Sequence, residues 1–176
     1  MSAQSVRVNS YNNFNDYAGY GYWSSCKRWY CWEPMDMNEK SVSHEGGCLC
    51  GAVRYMVQGS PESSNHCHCR SCQRAVGAGF ATWCAAKSEN FKVTKGEIKV
   101  CETSPGIERG FCGNCGTSLT YVAKGNWSGQ DWTGKVWFLA PTLDDPSIAS
   151  PTRHVYVSHQ QPWVKLNDGL PTSEEF

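Results

Sequence analysis

Hydrophobic and polar positions alternate in short runs from Gly46 onward. In Ala52-Val-Arg-Tyr-Met-Val57, the residues Val53, Tyr55 and Val57 fall on every second position. That period of two puts them on one face of a half-buried strand. Further short runs follow at Gly79–Trp83, Phe91–Val93, Ile98–Val100, Leu119–Val122, Val136–Leu139 and His154–Val157. Turn-forming residues separate them: Gly59-Ser-Pro61, Lys95-Gly96, Ser104-Pro-Gly106, Lys124-Gly-Asn126 and Asp144-Asp-Pro146. Short strands broken at regular spacing predict an all-β domain of packed antiparallel sheets. No amphipathic helix of about ten residues or more is legible. One short helix is expected after Cys72 and another near Pro146.

Residues 1–45 carry no such period. They hold nine of the 22 Phe, Trp and Tyr residues and neither Leu nor Ile, so they cannot build a core of their own. The expected organisation is therefore an aromatic extension over 1–45, a domain over 46–171 and a frayed tail over 172–176. The extension is expected to be flexible to about residue 20, with Trp23, Trp29, Tyr30 and Trp32 along the domain surface. A chain of 176 residues fits one domain with such an appendage. Sixteen Lys and Arg balance sixteen Asp and Glu, which argues against a nucleic-acid binder relying on an overall basic field. The aromatic extension has only three basic residues before Glu33, so stacking on nucleic acid is not expected either. No apolar run approaches the roughly 18 residues of a membrane span. The opening MSAQSVRVNS lacks an apolar signal core, and a cytoplasmic location is expected.

Eleven cysteines change the picture. They fall short of the roughly 8–10% that marks a secreted disulfide scaffold. In a reducing compartment they are core residues, nucleophiles or metal ligands, and spacing decides between these. Cys112-Gly-Asn-Cys115-Gly116 is a C-x-x-C-G turn, whose backbone N–H groups can point at two thiolates. A closed structural site needs two more ligands. Cys48-Leu-Cys50 can supply them, because residues at i and i+2 of a strand share a face. Zinc is the first choice for four-sulfur ligation and mononuclear iron the second. A redox disulfide between Cys112 and Cys115 is disfavoured, since no βαβ pattern surrounds it.

Cys67-His-Cys69-Arg-Ser-Cys72 forms a second cluster, flanked by His66 and His68. Three ligands with a fourth position open is the arrangement of a catalytic zinc. Either histidine could instead close the site and make it structural. Three thiolates leave the dication with a net charge of −1, so the metal would be a poor Lewis acid. It would be suited to holding an added thiolate, because zinc deprotonates a thiol at neutral pH. Thiol-adduct chemistry with a small carbonyl follows more naturally than hydrolysis. Cys26, Cys31, Cys84 and Cys101 read as packing residues.

Gly47-Cys-Leu-Cys-Gly-Ala-Val-Arg-Tyr55, His66-Cys-His-Cys-Arg-Ser-Cys-Gln-Arg-Ala-Val-Gly77 and Arg109-Gly-Phe-Cys-Gly-Asn-Cys-Gly-Thr117 together closely resemble the glutathione-dependent formaldehyde-activating enzyme family, which includes the centromere protein V group. Thr142-Leu-Asp-Asp-Pro146, His154-Val-Tyr-Val157, Pro162-Trp163 and Asp168-Gly-Leu-Pro171 extend the likeness, which covers about Gly46 to Pro171. The resemblance implies a β-tent fold and two zinc ions. By position Cys48, Cys50, Cys112 and Cys115 would be the structural set, and Cys67, Cys69 and Cys72 the active-site set. It implies a carbon–sulfur lyase that joins formaldehyde to glutathione as S-hydroxymethylglutathione, with a small thiol and a carbonyl compound as partners. The alternative is a zinc-stabilised binding module like centromere protein V. Arg70, Arg74 and Arg109 could hold glutathione carboxylates, or equally balance an anionic zinc–thiolate cluster. Phe80 and Trp83 are expected in core packing, and His154 and Trp163 in structural roles.

Overall fold

The structure, a computed structural model, describes residues 42–127 and 129–176. Expectations for residues 1–41, with Cys26 and Cys31, fall outside the described residues. In chain order the strands are β1 (Ser43–Gly47), β2 (Arg54–Gln58), β3 (Ser63–Cys67), β4 (Ala81–Lys87), β5 (Phe91–Lys95), β6 (Ile98–Ser104) and β7 (Ile107–Cys112). They continue as β8 (Ser118–Ala123), β9 (Asn126–Trp127), β10 (Gln130–Asp131), β11 (Lys135–Leu139), β12 (His154–Val155) and β13 (Thr172–Ser173). One α-helix, α1 (Arg70–Val76), lies between β3 and β4. The turn near Pro146 is a 3₁₀ segment, Pro146–Ala149. Among the described residues no helix is long and apolar enough to cross a membrane.

A three-stranded antiparallel sheet runs β1-β2-β5, and an eight-stranded sheet runs β13-β12-β3-β4-β11-β8-β7-β6. The large sheet is mixed, because β12 runs parallel to both β3 and β13. The long excursion between β3 and β12 gives the chain room to return in the same direction, which a tight hairpin cannot do.

Alternation along the strands divides the large sheet into two faces. Cys84, Ala86, Val136, Phe138 and Leu119 pack with Val53, Tyr55 and Val57 of the small sheet. That layer is the main core, and Tyr55, Phe138 and Leu119 are fully buried in it. Gly46 is part of its closure: a Cβ there would lie 2.5 Å from the Tyr55 ring. The opposite face carries Cys67, Trp83, Ala85, Ile107, Trp137 and Leu139 in a second apolar cluster.

The pattern reading missed β1, β3 and β7, whose sequences SHEGG, SSNHC and IERGFC carry few apolar side chains. β1 starts at Ser43, ahead of the expected boundary at 46. The frayed tail is corrected by the structure. Thr172–Ser173 pairs with β12, and the Phe176 ring packs against Trp132 and Trp137 at centroid distances of 4.7 and 5.6 Å. An aromatic side chain that finds an open apolar face holds its segment down. Cys101 is exposed on β6 rather than buried, because β6 is an edge strand. Trp163 is also exposed, at 72%.

Candidate metal centres and active site

Cys48 and Cys50 follow β1, while Cys112 ends β7 and Cys115 lies in the turn before β8. Their four sulfurs fall within 4.8 Å of one another. The Cys48–Cys50 and Cys50–Cys112 sulfur separations are 3.6 and 3.9 Å. A tetrahedron with Zn–S bonds of about 2.3 Å has sulfur edges of about 3.8 Å, so the donor set fits that ion. Each sulfur also has a hydrogen-bond donor. Val53 N–H donates to Cys48 Sγ at 3.2 Å and Asn114 Nδ2 to Cys50 Sγ at 3.3 Å. The N–H groups of Cys115 and Asn114 point at Cys112. The Thr117 hydroxyl lies 3.1 Å from Cys115 Sγ and draws that thiol down to about 5. Gly116 makes this turn possible. Its φ of +76° lets its N–H reach Cys112 O at 2.8 Å.

The second cluster is local. β3 delivers Cys67, Cys69 caps the N-terminus of α1, and Cys72 sits in its first turn. Cys69 Sγ accepts from Cys72 N–H at 3.4 Å. The three sulfurs lie within 4.8 Å of one another. Donation from the neighbouring thiols pulls Cys69 down to about 2, while sharing those bonds and burial push Cys67 far up. All nine described cysteines are free.

Neither flanking histidine joins that trio. His66 Nδ1 lies 2.9 Å from Thr82 Oγ1, and its ring packs edge-on against Phe80. His68 Nε2 lies 2.9 Å from His154 Nδ1, and His154 Nε2 lies 2.9 Å from Asp168 Oδ2. Burial pushes His66 down, and takes His68 down to about 4. The donor atoms of His66, His154 and Asp168 also fall within 4.8 Å of one another. Both nitrogens of His154 are engaged, so His68, His154 and Asp168 form a hydrogen-bonded chain behind the Cys67–Cys69 loop, and His66 meets His154 by ring contact. Gln73, 4% exposed, adds a clamp: its Nε2 donates to His68 O at 2.5 Å and to His159 O at 2.9 Å.

The trio opens on a cavity of about 500 Å³. Its floor is the second face of the large sheet, with Trp83, Tyr121, Arg109 and Trp137, and Trp132, Tyr156 and Phe176 add to the walls. Arg109 Nη2 lies 3.9 Å from Cys72 Sγ, and its guanidinium lies over the Tyr121 ring. Arg70, expected to act with Arg109, instead donates to Gln73 Oε1 and does not line the cavity. Arg74 does line it. Phe80 packs on His66 and His68 away from the cavity, whereas Trp83 lines it. Sequence reasoning overlooked Asn65, Tyr121, Trp132, Trp137 and Phe176. Trp137 lies within a run that was recognised as a strand, so its face relative to Phe138 was available from alternation. Asn65 lay in a strand too polar to see.

A family profile described as glutathione-dependent formaldehyde-activating enzyme matches residues 43–159. A Halomonas elongata protein, named provisionally as such an enzyme, is 31% identical over 133 residues, 69% of this chain and 80% of its own. A Schizosaccharomyces pombe protein named as an uncharacterized lyase is 34% identical over 83 residues, 45% of this chain and 57% of its own. A solved Rhodobacter sphaeroides protein aligns with a TM-score of 0.46 at 18% identity, over 73% of this chain and 98% of that one. With the profile spanning both cysteine clusters and most of the two sheets, the chain belongs to the glutathione-dependent formaldehyde-activating enzyme family.

Proposed function

We propose that the protein is a zinc-dependent carbon–sulfur lyase that joins glutathione to formaldehyde, giving S-hydroxymethylglutathione, at Cys67, Cys69 and Cys72. The observation that carries this reading is the convergence of three sulfurs, with no imidazole or carboxylate among them, on the wall of an aromatic cavity. Cys48, Cys50, Cys112 and Cys115 would hold a second, structural zinc. Zinc bound to the trio supplies a position for an incoming thiol and lowers its pKa, so that the sulfur is a thiolate at neutral pH.

In the reaction the glutathione sulfur forms a bond to the carbonyl carbon, and the thiol proton ends on the carbonyl oxygen. The chain's own groups prepare this addition. Arg109, donating toward Cys72 Sγ, offsets the negative charge of the cluster. Burial raises the Tyr121 hydroxyl to about 12, so it stays protonated and offers an O–H donor to the carbonyl oxygen. Trp83, Trp132 and Trp137 keep water away from the reacting carbon.

Exchange NMR with ¹³C-formaldehyde and glutathione tests the proposal. The zinc-loaded protein should accelerate adduct formation well above the spontaneous rate, and Cys69→Ser should not. A fully metal-loaded protein that gives no acceleration would exclude this activity and leave a zinc-stabilised binding module.

A further inference from the structure

Three side chains lining the cavity carry buried nitrogen donors with no acceptor: Asn65 Nδ2, Arg109 Nη1 and Trp137 Nε1. They come from β3, β7 and β11, so no single local sequence accounts for them. The sheet register brings them to one floor. Trp137 pairs with Tyr121, and Tyr121 pairs with Arg109, in one row. Asn65 pairs with Trp83, two residues along β4 from the partner of Trp137. Asn65 is 2% exposed and Trp137 5%. Buried donors are nearly always paired, because leaving one unpaired forfeits its hydration without return. Three around one cavity therefore point to an acceptor that a ligand brings.

The rest of the lining narrows that ligand. Among the described residues no Asp or Glu lines the cavity, and Arg74 adds a second cation. A carboxylate suits these buried donors and the two guanidinium groups among the lining residues. Trp83, Trp132 and Phe176 offer aromatic walls that neither glutathione nor formaldehyde can use fully. The volume, about 500 Å³, is far more than a one-carbon carbonyl needs and suits a ring-sized molecule. The three nitrogens are covered, so an acceptor reaches them only when a wall residue shifts. Phe176, set edge-on against Trp137, is the wall residue next to one of them.

We infer that the cavity selects an aromatic aldehyde bearing a carboxylate as the carbonyl partner, with the carboxylate on Asn65, Arg109 and Trp137 and the ring between the aromatic walls. The inference deepens the proposed function and rests on it for the thiol step alone. That step is the same addition: the thiol sulfur bonds to the aldehyde carbon, the thiol proton passes to the aldehyde oxygen, and no oxidant or reductant is needed.

Calorimetric titration of the zinc-loaded full chain with 4-carboxybenzaldehyde and with benzaldehyde tests the inference, alongside consumption of each aldehyde with glutathione. The carboxylated probe should bind about tenfold more tightly than benzaldehyde. Trp137→Phe keeps a ring and removes one donor. It should weaken 4-carboxybenzaldehyde about five- to tenfold more than it weakens benzaldehyde. Arg109→Met, with folding checked by circular dichroism, should abolish the preference if Trp137→Phe proves unstable. Equal binding of the two aldehydes overturns the inference, as does equal weakening of both by Trp137→Phe. Turnover of formaldehyde without binding of 4-carboxybenzaldehyde overturns it while leaving the proposed function intact. Preferential binding of 4-carboxybenzaldehyde with no aldehyde consumed supports the selective cavity and removes the thiol reaction instead.

Discussion

The two cysteine clusters use the same ligand chemistry on opposite kinds of chain geometry. Cys48 and Cys50 lie more than sixty positions from Cys112 and Cys115, so a metal there ties the β1–β2 hairpin to the β7–β8 turn. Cys67, Cys69 and Cys72 sit within six residues at the junction of β3 and α1, so a metal there closes almost no chain. The four-cysteine set would bring a complete ligand shell to a metal, with a hydrogen-bond donor at each sulfur. The trio brings three ligands and faces a cavity. The difference teaches where the proposed division comes from: sulfur count and loop length together would separate a staple from a workplace.

The largest effect should come from breaking the staple. Structural zinc in small domains contributes about 10–16 kcal/mol of apparent binding energy. A whole domain has about 5–15 kcal/mol of net stability. Cys115→Ser should therefore yield unfolded or insoluble protein, seen by circular dichroism and solubility. Cys69→Ser should behave differently. Serine is itself a good N-cap and can accept from Cys72 N–H, so α1 should persist and stability should fall by no more than about 2 kcal/mol. Thermal melts would check this, with metal content and adduct formation both reduced.

Arg109→Met should act only on the second cluster. It should leave the melting temperature nearly unchanged and lower kcat/KM for the glutathione adduct by about tenfold or more, as expected for loss of a charge-assisted bond. The smallest effect belongs to the staple side. Arg54 pairs with Asp144 and, at 3.3 Å, with Glu45, fastening the β1–β2 hairpin to the loop after β11. The guanidinium beside Asp144 holds its carboxyl below the ordinary value of 3.8. A depressed carboxyl stabilises the fold above its unfolded pKa and ceases to do so as pH falls through the folded value. Asp144→Asn should thus lower the melting temperature slightly at neutral pH, and the gap should close below the usual carboxylate range. A gap that widens in acid would contradict the pairing.

The two cysteine clusters were legible because spacing encodes them. C-x-C, C-x-C-x-x-C and C-x-x-C-G state which sulfurs are neighbours before any fold is known. The main core was legible through Val53, Tyr55 and Val57, where alternation is strong. The cavity was not. Its floor includes Asn65 from a polar strand and Arg109 from IERGFC, where alternation fails because the face they occupy is only partly apolar. Phe176 was read as tail, since nothing local says that an aromatic residue beyond β13 will find Trp132 and Trp137. Long-range register, rather than local pattern, assembled the site.

Zinc stoichiometry of the intact protein and of Cys69→Ser, with circular dichroism on the same samples, tests the division of labour most directly. The account predicts two zinc ions in the intact chain, and one in a folded Cys69→Ser chain that no longer accelerates adduct formation. A single zinc in the intact protein would contradict it, as would a Cys69→Ser chain as unfolded as Cys115→Ser.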